Sequence, residues 1–134
     1  MREIIELTIG DLTTQDVDAI LSPANNESLL NTDLGSKIAV KAGKELSEAA
    51  NRIGKINLGE AVMTPGGKLK ARHVIHAACM NYSQTTSEDV LVQATRNALM
   101  KAREASLTSL AMPPLDATGR SEERRVGKEC FLLC

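Results

Sequence analysis

Aromatic side chains are almost missing from this chain of 134 residues, which has Tyr82, Phe131 and no Trp. Its core must therefore be filled by aliphatic side chains. Cysteine is scarce as well: there are three, an odd number without metal-ligand spacing. This argues against a disulfide framework or a zinc site, and Cys79, in a segment that reads as structured, is expected to be a buried, inert thiol. No apolar stretch approaches the ~20 residues that span a bilayer, and no secretory leader is evident, so the chain reads as soluble and cytoplasmic with no membrane partner. An excess of one charge is also lacking. With 16 basic against 17 acidic residues the net charge is −1, which supplies no field for gripping nucleic acid, so any anionic ligand must be held locally. Neither a G-x-G-x-x-G nor a P-loop pattern is present, which removes the usual dinucleotide and nucleoside-triphosphate sites. Internal repeats are not evident.

What is present is one domain's worth of material, 43% hydrophobic, enough for a real core. Ile5, Leu7 and Ile9 alternate with Glu6 and Thr8 as in a strand with one better-buried face. Val17 to Leu21 is a nearly continuous apolar run that suits a central strand. Residues 26–35 read as a loop. Ile38, Ala42, Leu46, Ala49, Ala50 and Ile53 follow a helical spacing, predicting one helix that opens near Ser36, carries Gly43 inside it and closes at Gly54. Ala61 to Thr64 and Leu69 to Ala71 flank a hairpin-like turn at Pro65-Gly66-Gly67. His73 to Cys79 reads as a buried strand. Ser87 is a natural N-cap for a helix burying Leu91, Ala94, Ala98, Ala102 and Ala105, and Thr108 to Met112 is a last strand stopped by Pro113-Pro114. Strands alternating with helices indicate an α/β fold.

Two short motifs mark what read as adjacent strand ends: Gly10-Asp11-Leu12-Thr13, and Ser22-Pro23-Ala24-Asn25, with Asn25 fifteen residues after Gly10. In open α/β sheets the crevice outside the carboxyl ends of the strands is where ligands sit. With Val74-Ile75-His76-Ala77-Ala78 and Leu110-Ala111-Met112-Pro113, this ordered set resembles the macro domain, the ADP-ribose-binding module, from about Glu3 to Gly119. The resemblance implies a three-layer α/β/α fold with a mixed central sheet. It implies that Asp11 accepts from the adenine amine while the Leu12 N–H donates to a ring nitrogen, within a turn opened by Gly10. Ala24 and Asn25 would face the distal ribose, and Leu34, Gly35 and Ser36 would lie where the pyrophosphate crosses a helix N-terminus. The implied partner is ADP-ribose or ADP-ribosylated protein, with no further cofactor and no metal.

The chain departs from the common pattern in the loop after Asn25. Many macro domains carry a glycine run there, whereas Leu30-Asn31-Thr32-Asp33-Leu34-Gly35-Ser36 looks more like the macro domain of the large histone variant, and Asp33 brings a like charge towards a pyrophosphate. Hydrolytic members of the family typically place an Asp where this chain has Gly35. The expectation is therefore binding without catalysis and no catalytic residue. The alternatives are an ADP-ribosyl or acetyl-ADP-ribose hydrolase, and a shortened copy that binds nothing. His73 and His76, three apart on a strand, point to opposite faces and so read as structural, and Met63, Met80, Met100 and Met112 read as core filler. Residues 120–134 change character: their dense mixed charge has no helical or strand period and resembles a translated sequencing adapter. The expected organisation is thus a macro domain over residues 1–119, incomplete at its C-terminus, and a non-native tail over 120–134.

Overall fold

The computed structural model describes residues 5–81, 86–113 and 129–133. In chain order these form β1 (Ile5–Ile9), a 3₁₀ turn (Leu12–Thr14), β2 (Ala19–Asn25), α1 (Asp33–Ala42), α2 (Lys44–Ile53), β3 (Ala61–Pro65), β4 (His73–Met80), α3 (Glu88–Glu104), β5 (Leu110–Met112) and β6 (Glu129–Leu133). The strands join one mixed sheet in the order β1-β6-β5-β2-β4-β3. β2 lies parallel to both β4 and β5, β3 is antiparallel to β4, and β6 is antiparallel to both β1 and β5. It follows that β1, β2, β4 and β5 run the same way and end on one edge of the sheet.

Each face of the sheet has its own aliphatic cover. Alternate residues of a strand point to opposite sides, so Leu21, Ile75 and Ala77 meet Ala94, Ala98 and Ala102 of α3, while Ile20 and Val74 meet Ile38 and Ala42 of α1 and Leu46 of α2. All seven residues of β2 are buried, as a central strand covered on both faces requires. The small alanine stripe of α3 seats that helix on the sheet, and the Ser87 hydroxyl caps it by accepting from the Val90 N–H.

Several boundaries differ from the sequence reading. The continuous apolar spacing from Ile38 to Ile53 belongs to two helices, because Gly43 at φ +90 and ψ −163 takes a backbone conformation open essentially to glycine and turns the chain between Ala42 and Lys44. Leu69 and Ala71 do not form a strand; they pack into the α1 side of the core from a broad turn, and β4 starts at His73. Met100 on α3 and Ala105 at its C-cap are exposed, outside the stripe that meets the sheet. The two motifs do not mark adjacent strands, since β6 and β5 separate β1 from β2. Finally, part of the segment set aside as a tail enters the sheet: Glu129–Leu133 pairs with both β1 and β5, where the short apolar run Phe131-Leu132-Leu133 supplies strand-forming residues. Gly119 and residues 120–128 lie outside the described residues.

Candidate functional site

At the shared edge where β1 and β2 end, the chain turns twice into polar loops. After β1, Asp11 caps the 3₁₀ turn: its Oδ1 accepts from the Thr13 N–H at 2.9 Å and from the Thr13 hydroxyl at 2.7 Å. Its Oδ2 faces α1, where the ammonium groups of Lys37 and Lys41 each stand 3.3 Å away. Partial burial opposes ionisation of this carboxyl, but the Thr13 hydroxyl and N–H, Lys41 and Lys37 outweigh it and hold the group well below the usual carboxylate range. Asp11 is therefore a fixed anion. Leu12 beside it is buried, and Leu12 and the half-buried Leu34 join the same apolar cluster as Ile38. Gly10 is half-buried next to the Gln15 side chain.

After β2, Asn25 is fully buried and organises its own loop. Its Oδ1 accepts from the N–H groups of Glu27 at 3.0 Å and Ser28 at 2.7 Å, and its Nδ2 donates to the Asn31 carbonyl at 3.3 Å. Ala24 faces inward against Leu29 and Ala50, so its side chain belongs to the core.

Between these turns sits the head of α1. Thr32 is its N-cap: the hydroxyl accepts from the Gly35 N–H at 2.9 Å and donates to the Pro23 carbonyl at 3.1 Å, which ties the helix start to the end of β2. Ser36 is exposed and its hydroxyl donates to the Leu30 carbonyl. The cap satisfies Gly35, and by helix geometry the N–H groups of Asp33 and Leu34 have no partner within the helix, leaving them for solvent or an anion. Asp33 itself is exposed in the first turn.

The sequence-marked residues thus fall into two groups with separate partners. Asp11, Leu12 and Leu34 gather against the side of α1, while Asn25, Gly35 and Ser36 build the loop over the end of β2. Sequence reasoning missed Lys37 and Lys41, whose charges look dispersed along the chain yet converge on Asp11 from successive turns of one helix. The i, i+4 spacing of the two lysines was the available signal.

His76 lies apart from this edge, fully buried on β4 and hydrogen-bonded through Nε2 to the Thr64 hydroxyl at 2.8 Å. Burial pulls its pKa down to about 4, so it is neutral at pH 7. Its Nδ1 and the Ser22 hydroxyl, on paired residues of β4 and β2, are buried without partners among the described residues. Cys79 is buried as well. Among the described residues no group of three His, Cys, Asp or Glu is placed to hold a metal ion, and no helix is long and apolar enough to cross a membrane.

Comparison with known proteins agrees with this architecture. An uncharacterized protein of Thermotoga maritima is 34% identical over 131 residues, covering 92% of this chain and 22% of its own length. An uncharacterized protein of Saccharolobus solfataricus is 38% identical over 115 residues, covering 83% of this chain and 64% of its own. The chain therefore spans less than two thirds of either relative. Among solved structures, the macro domain of ganglioside induced differentiation associated protein 2 superposes with a TM-score of 0.73 at 28% identity, covering 84% of this chain and 58% of that one. A point mutant of the Oceanobacillus iheyensis macrodomain, solved with ADPR, gives a TM-score of 0.70 at 28% identity over 78% of this chain and 61% of that one. The family model described as the macro domain matches residues 21–121, a span that runs from β2 through α1, α2 and α3 to β5 and holds the buried strands and the capped head of α1. With the mixed sheet covered by helices on both faces, these matches establish that the chain belongs to the macro domain family.

Proposed function

We propose that this chain binds ADP-ribose, free or attached to protein, and does not turn it over. The observation that carries the reading is Asp11: a carboxylate held ionised and oriented by Thr13 at the sheet edge where β1, β2, β4 and β5 end, beside the uncapped first N–H groups of α1. A fixed carboxylate accepts from the exocyclic amine of adenine and not from the carbonyl that guanine and hypoxanthine carry there. The helix head suits a pyrophosphate without needing a basic side chain. A relative of the same fold was solved with ADPR, which supports this ligand class. In this proposal Gly10 and Leu12 shape the base pocket, Ala24 and Asn25 the ribose end, and Leu34, Gly35 and Ser36 the phosphate-facing turn.

Hydrolysis finds less support. The position where hydrolytic members place an Asp is Gly35, and the nearby Asp33 is an exposed residue in the first turn of α1. No group positioned to activate water is assigned.

Calorimetric titration of ADP-ribose into the chain and into its Asp11→Ala variant tests the reading. A charge-assisted hydrogen bond is worth about 1.5–3 kcal/mol, so the variant is expected to bind roughly tenfold to a hundredfold more weakly. Equal affinities would remove Asp11 from the site, and release of ADP-ribose from a modified protein above the buffer rate would make the chain an enzyme.

A further inference from the structure

We propose that Lys37 and Lys41 compete with the ligand's base for the Asp11 carboxylate and thereby limit how strongly the site prefers an amine-bearing purine. The inference rests on the ADP-ribose reading and specifies how that site is regulated.

A carboxylate offers about four acceptor positions, two on each oxygen. In Asp11 three accept hydrogen bonds, from the Thr13 N–H and hydroxyl and from Lys41, and the ion-paired ammonium of Lys37 stands against the fourth. The Thr13 N–H and hydroxyl take Oδ1 at 2.9 and 2.7 Å, and the two ammonium groups take Oδ2 at 3.3 Å each. An incoming amine must displace one of these donors. The Thr13 contacts are built into the 3₁₀ turn, with its backbone fixed and its side chain buried. The lysines stand on flexible stems and keep 39% and 42% of their side-chain surface in solvent, and their bonds are longer. Lys37 and Lys41 are therefore the donors that yield, and the position opened is on Oδ2.

This exchange works against discrimination. An adenine amine gains its bond to Oδ2 only by breaking an ion pair. A purine with a carbonyl at the same place displaces nothing and meets two ammonium donors ready to serve that carbonyl. The lysines weaken the preferred base and assist the wrong one. Their positive charge also attracts any anionic ligand, so absolute affinity mixes two opposing effects. The ratio of affinities for two ligands of equal charge isolates the exchange.

The test titrates ADP-ribose and its hypoxanthine counterpart into the full chain, its Lys37→Met/Lys41→Met variant and its Asp11→Ala variant, with thermal melting as a check of folding. Methionine keeps the stem length and removes the donor. Exposed ion pairs are worth up to about 1 kcal/mol, so the adenine-to-hypoxanthine affinity ratio of the double methionine variant is expected to exceed that of the parent by about two- to fivefold. Raising ionic strength from about 0.05 to about 0.5 M screens the ion pairs and should move the parent's ratio towards that of the variant, which itself stays flat. A ratio that is unchanged or lower in the methionine variant overturns the proposal. Failure of the underlying reading looks different: neither nucleotide binds the parent, or Asp11→Ala leaves the ratio intact.

Discussion

Gly35 lies directly beneath the hydroxyl of Thr32: its N–H donates to that oxygen at 2.9 Å, and a Cβ added to Gly35 would stand 2.8 Å from the same atom and 3.2 Å from the Leu29 carbonyl. The N-cap of α1 and the missing side chain at residue 35 are thus one feature. This gives a structural reason why position 35 carries no side chain.

Gly35→Asp is therefore expected to disturb the cap without installing hydrolysis. Loss of a Thr N-cap costs typically about 1 kcal/mol, and crowding against the Leu29 backbone adds to it. Thermal melting should show the destabilisation and an ADP-ribose release assay should show no gain. A variant with unchanged melting temperature and new release activity would refute this account of the cap.

At the opposite edge of the sheet Asp18 clips the starts of several strands together. Its Oδ2 accepts from the Thr108 N–H and hydroxyl at 2.8 Å each, and its Oδ1 takes Arg72 at 3.0 Å. The Thr108 bonds first, with Arg72 and Ser109 behind them, hold its carboxyl below the ordinary value against a smaller opposing effect of burial. A depressed folded pKa contributes stability that is complete above the unfolded value near 3.9 and is lost as pH falls through the folded one. Asp18→Asn is expected to cost on the order of 1–3 kcal/mol at pH 7. As pH falls below about 3.9 the gap to the parent should narrow, because the unfolded chain takes up the proton before the clipped carboxyl does. A gap that stays constant with pH would mean that the clip does not depend on ionisation.

His76 has the reverse consequence at milder acidity. Its folded pKa lies near 4 because burial disfavours the imidazolium, against 6.5 in the unfolded chain. The unfolded state therefore takes up the proton first, so stability is full above about pH 6.5 and declines as pH falls towards 4, by roughly 3 kcal/mol. His76→Gln removes the titration, and denaturant melts of this variant should lack that slope. A ring proton of His76 that titrates near pH 6.5 in the folded protein would contradict the assignment.

How far the sequence revealed all this depended on whether a feature was local. Ser87 was legible as a cap because it and the first turn it serves are neighbours in the chain. The Ser22-Pro23-Ala24-Asn25 end of β2 was legible because an apolar run stops there. Gly43 was seen inside a helical pattern, but the apolar spacing continues unbroken across it, so the split into α1 and α2 followed only from its positive φ. Strand order was beyond reach for a similar reason: nothing in the text of β1 and β2 says that β5 and β6 lie between them. The two lysines at Asp11 sit 26 and 30 residues further along. Their i, i+4 spacing puts them on one face of a helix, but that this face meets Asp11 is set by how α1 packs over Leu12, a tertiary relationship.

Asn25 separates support of the site from contact with the ligand. Its amide is already committed to Glu27, Ser28 and Asn31, and the residue is fully buried. Asn25→Ala strands two N–H groups and a carbonyl in the loop that leads to the Thr32 cap, at a cost of about 1–3 kcal/mol. Asn25→Asp keeps the acceptor for Glu27 and Ser28 and loses the donor to Asn31. If Asn25 acts by shaping the loop, ADP-ribose affinity should fall in step with melting temperature in both variants, Asn25→Ala through the stranded N–H groups and Asn25→Asp through a buried carboxylate set against the Asn31 carbonyl. If the amide also donates to a ribose, both variants should bind more weakly than their melting accounts for, and calorimetry paired with melting distinguishes the two outcomes.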